Sequence, residues 1–530
     1  MRLNRQISAG GFIALAVCAA VLVAGEWAGA AAARAGDKNL RRAEKALRAG
    51  EFEVAEKLFR EMVTKDKGDA GARLGLSHAL LKQRKHQDAY DHAARVVATD
   101  PLSYRAHSLL GSALLGAGDF RLSVEEFRTA LGLKDDDAMA IAGLAMVDFY
   151  ENRLQASLNG LRRATSISPD EPDFQFNLGQ IAARSERYAE AANAYERFLR
   201  IAPLTDADRR ARIRGLIDFL RYLGTQNELM QTGGPARSVV PFELVNNRPI
   251  VRVRINNSKE TLRFVVDTGA GMCVIAAGAA ERLGLRAVAR GGMARAIGGR
   301  FEIVYGFLQS MHVGDTRVSN VPVYIRHFER QQESVDGYLG LSLISKYLTT
   351  VDYGAREMLM LRDDALPKYD PAQPPAGAEV PIRVTSSGFW SGEIRIGEIE
   401  RAANFIIDTG ATTSVVSQAF ADREAMSRFA QPGHIRVYGA AGVTENVQTL
   451  RLPRVHLGPH AHEGVSAAVL DMEPINETAG FEQTGIVGGN LLRHYRVTFD
   501  FARSVVRLEP LVSAPKEERT TAAPVVTSQP

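Results

Sequence analysis

The four-residue word Asp-Thr-Gly-Ala stands twice in this chain, at 267–270 and again at 408–411. At average composition such a word is expected on the order of 0.01 times in a chain of this length. Each copy follows an apolar run, Phe264-Val265-Val266 or Phe405-Ile406-Ile407, and precedes an apolar pair, Val274-Ile275 or Val415-Val416. The agreement continues downstream. Thirty-one residues after each aspartate stands a glycine in a small-residue turn, Gly298 in Ile297-Gly298-Gly299 and Gly439 in Tyr438-Gly439-Ala440, with Arg295 and Arg436 at matching offsets. Gly337-Tyr338-Leu339-Gly340 then answers Gly485-Ile486-Val487-Gly488, and Tyr347, Thr350 and Asp352 keep step with Tyr495, Thr498 and Asp500. This is an internal duplication, so the fold must accommodate two like halves. Short valine- and isoleucine-rich runs between turn residues, beginning after Gly233-Gly234-Pro235, predict that both halves are β. They are expected over 239–362 and 380–510, with the proline-rich stretch 363–379 as a linker.

The N-terminal part has a different rhythm. Small residues recur every 34 positions at Ala43, Ser77, Gly111, Ala145 and Gly179, and a second series, Ala55, Ala89, Ser123, Ser157 and Ala191, keeps the same step. Large residues such as Phe59, Phe127, Leu161 and Tyr195 lie four positions after the second series, and Pro101, Pro169 and Pro203 share one register. Small residues let two helices approach where they cross, a large neighbour fills the gap, and proline ends the second helix. Stacked hairpins bury together what one alone cannot. These features resemble the tetratricopeptide repeat, in about five copies, with 207–223 as a capping helix and 36–224 as the helical region.

Asp-Thr-Gly after an apolar strand, the glycine-turn hairpin, and two apolar residues before a glycine resemble the aspartic peptidases. The string Ile486-Val487-Gly488-Gly489-Asn490-Leu491-Leu492 is similar to the retroviral branch, the retropepsins. The resemblance implies an all-β bilobal domain with one catalytic aspartate from each half, Asp267 and Asp408. It implies that Thr268 and Thr409, with Gly269 and Gly410, support the two loops, and that Gly298, Gly299, Gly439 and Ala440 belong to flaps over a peptide substrate. The expected architecture is therefore multidomain, a helical repeat solenoid followed by a two-halved aspartic-peptidase-like domain. Two carboxylates sharing one proton can both activate water and supply a proton, so no metal or other cofactor is expected. Close carboxylates cannot both ionise cheaply, and their pKa values belong to the pair. Ala270 and Ala411 stand where many pepsin-like relatives carry a hydroxyl, which argues against an extreme acid preference. The first copy continues as Gly271-Met272-Cys273, where the second has Thr412-Thr413-Ser414.

Other chemistry has weaker support. His456, His460, His462 and Glu463 could suggest a metal, yet no H-E-x-x-H pattern is present. Ser342 lacks the closing glycine of a nucleophile elbow, Cys273 has no evident histidine partner, and Gly291-Gly292 lacks the ending of a phosphate loop. A net charge of +4, from 65 basic and 61 acidic residues, is too balanced for nucleic acid as the main partner. The expected partners are a protein or peptide substrate and a protein on the repeats. Residues 1–33, with Arg2 and Arg5, an apolar run and then Ala28-Gly29-Ala30, predict a signal peptide or an N-terminal anchor. Export follows, to the periplasm or medium if the source is bacterial, with membrane attachment only if this segment is uncleaved. Its loss would leave Cys273 as the one cysteine of the two, and 511–530 reads as a disordered tail. The alternative function is a repeat scaffold carrying a catalytically silent β domain.

Overall fold

A computed structural model describes residues 38–205, 207–328, 335–366, 376–399 and 401–512. The segment 1–33, most of the proline-rich stretch and nearly all of the tail lie outside these residues. Helices of 13 and 14 residues alternate from Phe52–Lys65 to Tyr188–Ile201, preceded by a helix from 38 and closed by the longer Ala207–Leu223. Chain contacts divide the described residues into two units, one of 38–114, 125–135 and 203–205, and one holding the rest.

In the first unit the small-residue series meet where the helices cross. The buried Ser77 hydroxyl donates to Ala89 O at 2.8 Å, joining one member of each series. A Cβ on Gly111 would lie 2.8 Å from the Phe127 ring, so the aromatic side chain occupies the space that glycine leaves. Asp69 caps the helix Ala70–Lys82 by accepting from Ala72 N, which satisfies one of the orphan donors of its first turn.

The second unit repeats this grammar and joins it to the β domain. Ser157 donates to Ala145 O at 2.6 Å, and Gly179 faces Tyr195 as Gly111 faces Phe127. The helix Ala138–Tyr150 is unusual in that ten of its thirteen residues are buried. Tyr150 and Phe120 enclose Phe481 of the β domain at centroid distances of 5.1 and 4.9 Å. Arg184 lies over Trp390, and Asn152 donates to Phe501 O at 3.2 Å. The helices of this unit are thus packed against the β domain.

The duplication governs the β domain. In each half the strand leading to the aspartate lies between an antiparallel neighbour and a parallel one. Leu262–Val266 lies between Arg248–Ile255 and Gly337–Leu339; Ala403–Ile407 lies between Trp390–Ile396 and Gly485–Val487. Beneath them runs a six-stranded antiparallel sheet, three strands from each half, in the order Ala378–Val384, Val505–Pro510, Tyr495–Asp500, Leu348–Asp352, Glu357–Leu361, Arg237–Pro241. At its centre Thr350 pairs with Thr498, their hydroxyls 2.9 Å apart, so equivalent residues of the two copies meet on a local two-fold axis. The first half enters this sheet with Arg237–Pro241 and the second with Ala378–Val384, close after the proline-rich stretch.

Candidate active site

Both aspartates sit where a strand runs out against its parallel neighbour. Asp267 N donates to Leu339 O and Asp408 N to Val487 O, each at 3.0 Å, which fixes the loops at the same point of each half. The threonines that follow turn toward the opposite loop. Thr268 Oγ1 donates to Ile407 O and Thr409 Oγ1 to Val266 O, both at 2.7 Å. Each hydroxyl also accepts the other threonine's N–H, at 3.0 Å from Thr409 N and 3.2 Å from Thr268 N. Both threonine hydroxyls and both N–H groups of this buried crossing thus have partners, and moving one loop would leave several unpaired at about 1–3 kcal/mol each.

The crossing brings the two carboxyl groups together within one chain. Both aspartates are fully buried, and their side chains lie within hydrogen-bond reach of each other. Gly269 is required here, since a Cβ would stand 2.3 Å from Asp408 Oδ2. Asp267 Oδ1 accepts Gly269 N at 2.9 Å, whereas Asp408 Oδ1 accepts Gly410 N at 2.8 Å and Ala411 N at 3.1 Å. Neither Oδ2 has a backbone donor among the described residues. Burial raises the Asp267 pKa far above the carboxylate range, and the Asp408 charge adds to the rise. Burial also raises Asp408, but its hydrogen bonds to Asp267 and to backbone N–H groups pull it back. Both carboxyls are thus raised, chiefly by burial, and they titrate as one coupled pair.

Support beneath the loops is also duplicated, with altered chemistry. Ser414 Oγ donates to Asn490 Oδ1 at 2.8 Å and accepts Gly488 N at 3.1 Å. In the first half Cys273 takes the place of Ser414, its Sγ accepting Gly340 N at 3.4 Å, and Ser342 takes the place of Asn490, accepting Cys273 N at 3.2 Å. The Gly-Met-Cys departure thus keeps the same backbone tie. Cys273 is a buried thiol with its pKa pushed up to about 11, which suits support and not nucleophilic attack.

The glycine turns cap two long hairpins, Ala289–Ala296 with Gly299–Val313 and Ala430–Gly439 with Gly442–Leu457. Their tips touch: Ala441 N donates to Ile297 O at 3.0 Å. A Cβ on Gly439 would stand 2.2 Å from Ile297 O, and one on Gly298 2.3 Å from Gly442 O. Gly298, Gly299 and Gly439 thus form the tip contact, and Ala440 lies in the second turn beside it. Gly291-Gly292 has another use. A bulge there receives the capping helix, where a Cβ on Gly215 would meet Arg290 O at 2.1 Å.

Strand alternation divides the histidine group. His460 and His462 share one face of their strand, whereas Glu463, and His456 opposite Ala461, face the other way. Among the described residues no set of three or more His, Cys, Asp or Glu side chains is placed to hold a metal ion. Two residues that the motifs do not mark stand close to the dyad electrostatically. Arg248, almost fully buried, lowers the Asp267 pKa, and the Tyr353 hydroxyl has its own raised by burial and by Asp408. Their only sequence signal is a charged or hydroxylated side chain at one end of an apolar strand, Arg248 opening Arg248–Ile255 and Tyr353 following Leu348–Asp352.

Family models place the same division on the chain. The aspartyl protease model matches residues 251–343, the gag-polyprotein aspartyl protease model matches 394–494, and tetratricopeptide repeat models match 46–113 and 142–204. Among curated proteins the chain is 21% identical over 142 residues to the BBSome complex member BBS4 of Bos taurus, covering 27% of each. The chain thus spans about a quarter of that relative's length. Among solved structures it is similar to the aspartic proteinase of Irpex lacteus, at 15% identity and a TM-score of 0.37, covering 52% of this chain and 98% of that one. It is also similar to a tetratricopeptide repeat protein of Thermus thermophilus, TTC0263, at 20% identity and a TM-score of 0.31, over 34% of this chain and 98% of that one.

Proposed function

From a chain that joins tetratricopeptide repeats to two aspartyl-protease segments, we propose an exported aspartic endopeptidase whose Asp267 and Asp408 form one catalytic dyad. The observation that carries this reading is the pair of buried carboxyl groups, delivered by equivalent loops within hydrogen-bond reach of each other, with both Oδ2 atoms free of backbone donors. A water held between the carboxyls attacks the peptide carbonyl carbon. The ionised carboxyl of the pair takes the water's proton while the protonated one gives its own to the carbonyl oxygen, leaving a neutral diol. The carboxyl that gave its proton then recovers one from the diol, the other protonates the nitrogen, and the C–N bond breaks. The dyad ends as it began. The flap tips close over this centre and exclude bulk water, which strengthens each electrostatic contact inside. Export rests on the N-terminal segment 1–33. The repeat array is assigned to a protein partner.

Asp267→Asn and Asp408→Asn test the reading. Each should lower hydrolysis of a protein substrate by about 10²- to 10⁴-fold or more, with unchanged circular dichroism, because a lone carboxylate lacks the complementary proton transfer. A statine-type inhibitor should block the wild type. Near-normal activity in either variant would exclude a shared dyad. A wild type that neither cleaves a broad set of proteins nor binds the inhibitor would favour the silent scaffold.

A further inference from the structure

Arg326 is a buried cation without an anion among the described residues. It ends the strand Thr316–Arg326, paired with Ala276, nine residues after Asp267. Its side chain is 5% exposed, and its guanidinium lies 3.9 Å above the ring of Phe301. Burial pulls its pKa below the usual arginine range to about 10, while Tyr338 and Tyr324 push the other way. A buried charge without a partner among the described residues is costly, and a fold tolerates one where something else supplies the partner.

Its neighbours place it on the same face of the first half as the reacting centre. Phe301 belongs to the first flap, two residues beyond the tip residue Gly299. Tyr338 pairs with Val265 and joins it in one buried cluster. Val265 is two residues before Asp267, so strand alternation puts it on the aspartate's side of the sheet. The guanidinium thus lies between Phe301 of the first flap and the Tyr338 strand, on the face that carries Asp267.

The second half supplies an internal control. Leu470 pairs with Ser417, nine residues after Asp408, and is the counterpart of Arg326. It is buried in an apolar cluster with Ile406, Ile475 and Ile486. The counterpart of Phe301, three residues past the tip glycine, is Gly442. Cation and aromatic partner are thus both particular to the first half, while the equivalent place in the second is filled with hydrocarbon.

We infer that Arg326 forms a subsite for a carboxylate side chain of the substrate, so that the enzyme selects peptides carrying Asp or Glu near the scissile bond on the Asp267 side. The inference rests on the peptidase reading above. The entering carboxylate exchanges water for a charge-assisted, bidentate contact on a guanidinium already held flat by Phe301. Glutamine at the same substrate position would leave the charge unmet.

Digestion of a proteome-derived peptide library, read by mass spectrometry, tests this whatever sequence is cleaved. The wild type should enrich Asp and Glu at one position, with kcat/KM about 10- to 100-fold above the Asn and Gln counterparts. Arg326→Leu, which copies Leu470, should abolish that enrichment and leave cleavage of neutral peptides, without lowering the melting temperature. Arg326→Gln gives the same readout if the leucine variant does not fold. Arg326→Glu should shift the preference toward Lys or Arg, which loss of a structural contact would not produce. Cleavage with no acidic enrichment would overturn this inference and leave the peptidase reading standing. Absence of any cleavage by the wild type would overturn both.

Discussion

At the scale of single residues the two aspartates work against the fold they sit in. A carboxyl whose folded pKa is raised contributes stability that is complete below its unfolded pKa of about 4 and is lost as pH rises through the folded value. For Asp267 that loss falls across the range above the ordinary carboxylate pKa, because burial and the Asp408 charge both raise it. Asp267→Asn removes the titration and the repulsion together. Its melting temperature should match the wild type near pH 4 and exceed it by a growing margin toward pH 8, measured by calorimetry across that range. A gap constant with pH would mean that the carboxyls do not interact. The coupling also shapes the activity profile, which should be bell-shaped, falling in acid as the pair takes up a second proton and in base as the shared proton leaves. Much of this is legible in the sequence. The duplicated word and its offsets point to both aspartates, both threonines and the flap glycines, because each is tied to a local backbone pattern. Arg326 and Arg248 are not legible there, since a lone arginine in a strand acquires meaning only from what the register sets opposite it.

At the scale of elements, the capping helix Ala207–Leu223 holds the first flap. Arg212 Nη1 donates to Met293 O at 3.2 Å, and its Nη2 pairs with Glu477 at 3.0 Å, so one side chain ties the flap's outer strand to a helix of the second half. Phe219 stacks on Tyr305 at 4.3 Å, and Tyr222 meets Phe307 edge-on. The second flap has no helix of this origin against it among the described residues, so the duplication is broken at the flap base. Arg212→Ala should loosen the first flap's closed position and lower kcat/KM by about 10-fold, the value of one charge-assisted contact. The pH profile should not move, because the dyad is untouched. A changed pH profile, or unchanged kinetics, would count against a positioning role. The helix and the hairpin are each readable from periodicity and turn residues. Their contact is not, because Gly215 and Gly292 look like ordinary helix and loop glycines until the two elements are brought together.

At the scale of the molecule, repeats and β domain share a core, which changes what the repeats can do alone. Contacts between neighbouring hairpins predict that 36–224 folds by itself. In the second unit, however, Phe120, Tyr150 and Phe219 pack on the β domain, and each aromatic ring covered in this way is worth about 1.5–3 kcal/mol of burial. A signal for this is present in the sequence of Ala138–Tyr150, Ala-Met-Ala-Ile-Ala-Gly-Leu-Ala-Met-Val-Asp-Phe-Tyr, which is apolar around nearly its whole circumference. A repeat helix open to water on one side would be amphipathic. Two truncations separate the roles. A chain of 101–512 lacks only the first two hairpins and keeps every contact named here between helices and β domain. It should hydrolyse a short peptide as the full chain does. A chain of 225–512 loses the Arg212 tie, the Phe219 stack and the cover over Phe481, so it should be poorly soluble or inactive even with its dyad intact. The isolated 36–224 should remain helical by circular dichroism yet self-associate in sedimentation through the uncovered rings. Full peptide hydrolysis by 225–512 would show that the repeats only recruit. Its loss, with 101–512 active, would show that the last three hairpins and their cap are part of the enzyme's working structure.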